Sequence, residues 1–158
     1  MENIKLRQFE EKDQEAIYNL HIKALKQSES FIDNPKVREQ LDQDLKRIRE
    51  EYINNHGEFF VAMIDNKVVG MGALRKINKT TAELKRMRVE PAFQSKGIGG
   101  LILDKLIERA KELDYKKLRL DTTVKQIVAQ RLYESRGFKV HDRGKIYGQE
   151  AIYYQLDI

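Results

Sequence analysis

The stretch of this chain with the clearest chemical potential is Gln94-Ser95-Lys96-Gly97-Ile98-Gly99-Gly100, which runs directly into an amphipathic segment. Glycines keep side chains away from the backbone, and N–H groups at a helix start point outward, so an anion can approach them. The helix dipole adds a favourable field there, and Lys96 adds a positive charge. A phosphate or pyrophosphate is the natural ligand of such a turn. Two named alternatives fail on spacing. A Walker A loop ends in Gly-Lys-Ser/Thr, whereas here the lysine precedes the glycine. A dinucleotide fingerprint needs a third glycine where Ile102 stands. Taken alone, a glycine pair before a helix is equally compatible with an ordinary turn. Other chemistries are closed off. The chain has no cysteine, which excludes disulfides, thiolate metal sites and a cysteine nucleophile. His21, His56 and His141 are scattered without metal-ligand spacing, so no metal is expected.

The elements that must position this turn are legible from periodicity. Ile4 to Phe9 alternates apolar and polar as a strand does. Ile17, Leu20, Ala24 and Leu25 share one face of a first helix. Asn34-Pro35 offers a cap followed by proline at the first helical position, and Val37, Leu41, Leu45, Ile48 and Tyr52 recur at helical spacing behind it. Phe59 to Ile64 and Val68 to Leu74 flank the turn Asp65-Asn66-Lys67 as a hairpin. Thr80 to Val89 is a third middle strand. From Gly97 the period becomes helical through Ile98, Ile102, Leu106, Ala110 and Leu113. A strand at Leu118 to Thr122 follows, then a helix through Val128 and Leu132 with Gly137 as its C-cap. Phe138 to Val140 and Ala151 to Leu156 are late strands. The order βααβββαβαββ predicts an α/β (α+β) fold, a mixed and mostly antiparallel central sheet of about seven strands flanked by four helices. No linker or repeat divides residues 1–158, so a single domain is expected.

One irregularity stands out. Ala82 and Leu84 fall on even positions of their strand, Met87 and Val89 on odd ones. A strand has period two, so the phase slips near Lys85-Arg86, as a β-bulge would make it do.

Three blocks resemble the GNAT superfamily of N-acetyltransferases. Gln94-x-x-Gly97-x-Gly99 matches its (Gln/Arg)-x-x-Gly-x-(Gly/Ala) signature. Ala82 to Val89 is similar to its fourth strand. Ala129-Gln130-Arg131-Leu132-Tyr133-Glu134-Ser135-Arg136-Gly137-Phe138 is similar to its Ala-x-x-Leu-Tyr-x-x-x-Gly-Phe block. The resemblance is specific over residues 80 to 140 and general elsewhere. It implies the acyl-CoA N-acyltransferase fold, acetyl-CoA as donor and a splayed fourth strand, in agreement with the phase slip. It implies that Met87, Arg88 and Val89 line the pantetheine arm, with backbone groups of Met87 and Val89 pairing to it. Backbone amides from Gln94 through Ser95, Lys96, Gly97, Ile98 and Gly99 to Gly100 would hold the pyrophosphate. Many relatives place asparagine seven residues before the tyrosine; here Gln126 offers the same donor and acceptor on a longer arm.

By the same resemblance Tyr133 is the general acid that protonates the departing thiolate. Glu83 is a candidate base for the acceptor amine, with a surface ion pair as the equal alternative. With no Ser-His or cysteine signature, direct attack in a ternary complex is the expected route. A non-catalytic acyl-CoA sensor of the same fold remains the competing reading. The acceptor wall implied by the family comprises Gln27 to Pro35 and His141 to Gln149, with Phe31 and Tyr147 as lining residues. Relatives are commonly homodimers.

The 158 residues carry a formal charge of +5, with 41% hydrophobic and 35% charged residues. Both signs are mixed along most of the chain, which marks a solvated surface. No basic stripe with interleaved aromatics supports nucleic-acid binding. No apolar run approaches the ~20 residues of a membrane helix. The first residues, Met1 to Lys5, carry no apolar signal core, so a cytoplasmic location is expected.

Overall fold

The computed structural model describes residues 3–158; Met1 and Glu2 lie outside the described residues. β1 (Lys5–Gln8) precedes α1 (Gln14–Gln27), α2 (Pro35–Leu41) and α3 (Ile48–Glu51). The middle of the chain supplies β2 (Glu58–Ile64), β3 (Lys67–Lys76) and β4 (Thr81–Val89). Then come α4 (Ile98–Glu112), β5 (Lys117–Thr123), α5 (Ile127–Ser135), β6 (Lys139–Ile146) and β7 (Gln149–Asp157). All seven strands form one sheet in the order β1-β2-β3-β4-β5-β7-β6. Every neighbouring pair is antiparallel except β4 and β5, which α4 connects by a crossover.

Strand alternation divides the core between two faces. Phe60, Ala62 and Ile64 of β2 pack with Ile98, Ile102, Leu103, Leu106 and Ala110 of α4. Phe59 and Val61 pack on the other side with Ile17 and Leu20 of α1 and with Leu45, Ile48 and Tyr52. α1 and α4 each bury one stripe, as a period of 3.6 requires. α5 ends as its sequence predicts. Gly137 takes a left-handed φ of 91°, and the Phe138 amide donates back to the Tyr133 carbonyl at 3.1 Å, the wrap that glycine permits at a helix end.

Two elements differ from expectation. The single helix anticipated from Pro35 to Tyr52 is broken into α2, a 3-10 turn at Gln43–Lys46 and α3, so the described residues hold five α-helical segments in place of the expected four. The cause is visible in Asp42 and Asp44. Both carboxylates are buried and both reach Arg86, at 3.7 Å and 2.5 Å. Residues two apart on a regular helix do not face the same side. The chain must leave helical geometry to bring them together. The second difference is β6, which runs from Lys139 to Ile146 instead of stopping at Val140. It is an edge strand exposed along nearly its whole length, so its residues carry no apolar alternation to reveal it. Tyr147 and Gly148, with φ of 48° and 80°, turn it back into β7.

Candidate active site

The phase slip in β4 is a bulge. Met71 faces Arg88 and Ala73 faces Lys85, so Arg86 and Met87 together oppose the single residue Gly72. Arg86 sits at a left-handed φ of 59°. On its other edge β4 pairs with β5 only from Thr81 to Glu83; β5 continues along β7 to Thr123 while β4 bends away. A wedge opens between them, and Tyr133 projects into it from α5.

The cleft has two compartments that share Met87, Arg88, Gln126 and Tyr133 at their junction. One is a trench of about 430 Å³ that runs along Val89, Gln94, Ser95 and Gly97 to Gly100. The other, about 250 Å³, extends over the bulge towards His21, Arg38, Glu83 and Asp121.

The trench ends at the glycine-rich turn. Ser95 and Gly97 take left-handed φ values of 63° and 83° on the way into α4. No side chain caps the helix, and its first internal bond is donated by Leu101 to the Gly97 carbonyl at 3.1 Å. The amides of Ile98, Gly99 and Gly100 therefore lack intrahelical acceptors, which is the geometry that receives a phosphate. The three glycines serve different ends. Gly97 is required by its φ, since a Cβ there would meet nothing within 4 Å. A Cβ on Gly99 would come within 3.3 Å of Leu132, and one on Gly100 within 2.7 Å of Arg136 Nη2, so these two let α4 approach α5. Lys96 Nζ lies 5.2 Å from the centre of the Phe93 ring. Gln94 is a staple. Its Nε2 donates to the Val89 carbonyl at 3.1 Å, and its amide exchanges hydrogen bonds with Gln27 across to α1.

At the junction, Tyr133 is nearly enclosed, with its ring edge-on to Phe138 at 5.9 Å and tilted against Tyr154 at 6.2 Å. Its hydroxyl has no hydrogen-bond partner among the described residues. Burial pushes its pKa up to about 12, with Arg88 pulling the other way. The Gln126 side chain also lines both compartments and makes no hydrogen bond to a described residue.

The second compartment is highly charged. Glu83 ends the paired part of β4 and lies 3.4 Å from Lys85 and 4.0 Å from Arg75. Beside it Asp121 opens from β5 into the cleft, where burial raises its carboxyl pKa. Beneath the bulge is a cluster built from four elements. Arg86 Nε donates to Asp44 at 2.9 Å, and the Tyr52 hydroxyl also donates to Asp44. Arg38 donates to Asp42 at 2.8 Å, and buried His21 meets the same carboxylate through Nε2 at 2.9 Å. Burial drives the His21 pKa down to about 4, helped by Arg88 and Arg86, so the ring is neutral.

The structure thus gathers Met87, Arg88, Gln126 and Tyr133 at the junction, Glu83 in the second compartment, and Val89, Gln94, Ser95, Gly97, Ile98, Gly99 and Gly100 along the trench. Of the two expected wall residues, Tyr147 lines the second compartment. Phe31 does not; it lies beneath the cations of Lys26 and Arg38, and Ser30 and Ile32 line the wall in its place. Sequence reasoning missed Asp121 and the arginine cluster. Asp121 had a signal, since Arg119 and Asp121 alternate against Leu118 and Leu120 and so share the polar face of β5 beside Glu83. The cluster had none, because its members come from distant segments. Among the described residues no group of three or more His, Cys, Asp or Glu is placed to hold a metal ion.

Comparison with known proteins gives a consistent setting. The model of the acetyltransferase (GNAT) family matches residues 15–138. N-acetylaspartate synthetase of Xenopus tropicalis is 38% identical over 98 residues, which are 61% of this chain and 36% of that protein. The chain thus spans about a third of the length of these curated relatives. A GNAT-family acetyltransferase structure from Staphylococcus aureus superposes with a TM-score of 0.87 at 23% identity, covering 98% of this chain and 99% of its own. The PaiA N-acetyltransferase of Thermoplasma acidophilum, solved with coenzyme A, gives a TM-score of 0.78 at 20% identity over 96% and 98% of the two chains.

Proposed function

Because this chain belongs to the acetyltransferase (GNAT) family, we propose that it is a single-domain N-acetyltransferase that moves an acetyl group from acetyl-CoA to a primary amine. The observation that carries this is the junction itself, where a phenol with no internal hydrogen bond stands between a trench ending in uncapped helix amides and a charged compartment. The trench residues fit the donor. The amides of Ile98, Gly99 and Gly100 suit a pyrophosphate, and the β4 edge beyond Glu83, unpaired by β5, suits an amide-bearing arm.

Acetyl-CoA, when bound, supplies the thioester carbonyl that the amine attacks and the sulfur that leaves. The rest falls to the chain. Backbone groups released by the bulge at Arg86 and Met87 would meet the charge that develops on the carbonyl oxygen. The Tyr133 hydroxyl holds the proton that the departing sulfur takes up. A raised pKa keeps that proton in place throughout the neutral range. The attacking amine must lose a proton, and Glu83 and Asp121 are the carboxylates facing the compartment that could take it, directly or through water. Holding both partners in one cleft converts an encounter into a unimolecular step, so no covalent acyl-enzyme is needed.

The test is thiol release from acetyl-CoA over a panel of primary amines. Amine-dependent release is expected. Tight acetyl-CoA binding with no release for any amine would refute the enzyme reading in favour of an acyl-CoA sensor.

A further inference from the structure

Three guanidinium groups, from Arg38, Arg86 and Arg88, line the second compartment, and only two carboxylates meet them. Arg38 pairs with Asp42 at 2.8 Å. Arg86 pairs with Asp44 at 2.5 Å and reaches Asp42 at 3.7 Å. His21, neutral beside Asp42, adds no charge. Of the three guanidinium groups, Arg38 and Arg86 are answered by Asp42 and Asp44, and Arg88 is the one left without a paired carboxylate. Among the described residues Arg88 has no carboxylate within ion-pair distance. Its one hydrogen bond is donated from Nη1 to the Met87 carbonyl at 2.9 Å, and its Nε is buried without an acceptor. Burial and the neighbouring Arg86 pull its pKa down to about 10, the mark of a cation lacking its counter-ion.

A shielded charge without a partner is costly, and a ligand that brings the missing charge recovers that cost. A guanidinium presents a fork of N–H donors that matches a planar carboxylate. The same compartment also holds Glu83, which Lys85 meets at 3.4 Å, and Asp121, which has no ion pair among the described residues and suits an ammonium group. It is therefore polarised, with an unanswered positive charge at the junction and carboxylates on the neighbouring wall.

The geometry points to an amino acid as the acceptor, its carboxylate paired with Arg88 and its amine turned towards Glu83, Asp121 and the Tyr133 hydroxyl. This rests on the acetyl-transfer reading and narrows its acceptor. Arg88 and Tyr133 line the same junction, so a carboxylate held at Arg88 keeps an amine a few bonds away beside the phenol.

The experiment compares the common L-amino acids with their carboxamides as acceptors, for the wild type, Arg88→Gln and Arg88→Lys. The amide has the less basic amine and hence more free base, so the comparison is biased against the expected result. For the wild type, kcat/KM should favour the acid by about a hundredfold, the scale of a desolvated charge pair. Arg88→Gln should erase that preference chiefly through the acceptor KM, and Arg88→Lys should restore part of it. Should Arg88→Gln not fold, the wild-type preference decides alone. Turnover of amides and simple amines as fast as acids would overturn the assignment while leaving acetyl transfer standing. No turnover with any amine would overturn both.

Discussion

Removing one oxygen atom, in Tyr133→Phe, separates chemistry from architecture at this site. The ring is 6% exposed and held by Phe138 and Tyr154, and phenylalanine keeps all of that packing. The hydroxyl gives no hydrogen bond to any described residue, so its loss leaves no buried partner stranded. The change in folding stability should therefore stay within about 0.5 kcal/mol. The rate should respond quite differently. A positioned proton donor contributes roughly 10² to 10⁴-fold, equivalent to about 3–5 kcal/mol of barrier. The assay is the initial rate of thiol release under saturating acetyl-CoA from about pH 6 to about pH 10, alongside thermal unfolding of both proteins. In the wild type the rate should rise with pH as the acceptor amine loses its proton. It should not fall again within that range, because burial keeps the Tyr133 proton in place to about 12. The variant should melt with the wild type and run at a small fraction of its rate at every pH. A variant rate within about threefold of wild type, well short of the contribution expected of a general acid, would refute the proton-donor role. A clear loss of thermal stability would refute the claim that the hydroxyl is free of structural duty.

Acid should destabilise the fold through His21. Its pKa is about 4 when folded against ~6.5 in an unfolded chain, so the unfolded state takes the proton first. Stability is full above about pH 6.5 and falls by on the order of 3 kcal/mol as the pH drops to 4. Burial alone would raise Asp42, but hydrogen bonds from His21 and Arg38 hold it at about 2, so further loss follows below about pH 4; urea unfolding midpoints across this range are the check, and a flat profile would contradict it. Gly72→Ala would set a Cβ 2.6 Å from both Ile102 Cγ2 and Met87 Sδ, an overpacking worth about 1–3 kcal/mol. Since Gly72 faces the bulge, kcat/KM should fall further than the melting temperature explains, and an unchanged variant would show that the bulge tolerates a side chain there.

Local signals carried much of the architecture. The phase change between Leu84 and Met87 located the bulge, the start of α4 lies at the glycine turn, and Gly137 caps α5 as its position suggested. Each of these depends on residues close together in the chain. The broken helix does not. Val37, Leu41, Leu45, Ile48 and Tyr52 keep a helical period, yet Asp42 and Asp44 are drawn to Arg86 from a strand more than forty residues away. Periodicity cannot report a demand imposed by so distant a charge. β6 is hidden for another reason. An edge strand that buries neither face needs no alternation, and His141 to Lys145 reads as a polar loop. The role of Arg88 was likewise out of reach. In the chain it is one of many cations, and only the pairing of its neighbours leaves it unmatched.

The left-handed residue at the bulge is an arginine rather than a glycine, and that has a consequence for swapping parts between relatives. A non-glycine residue in this conformation costs about 1–2 kcal/mol. Arg86 offsets it by gripping Asp44 and the Leu41 carbonyl. The kink that opens the cleft is thus written partly in the stretch ahead of β2. A chimaera that replaced residues 35–57 with foreign sequence would inherit β4 unaltered and still lose its bend, unless an acid standing where Asp44 does travelled with the graft.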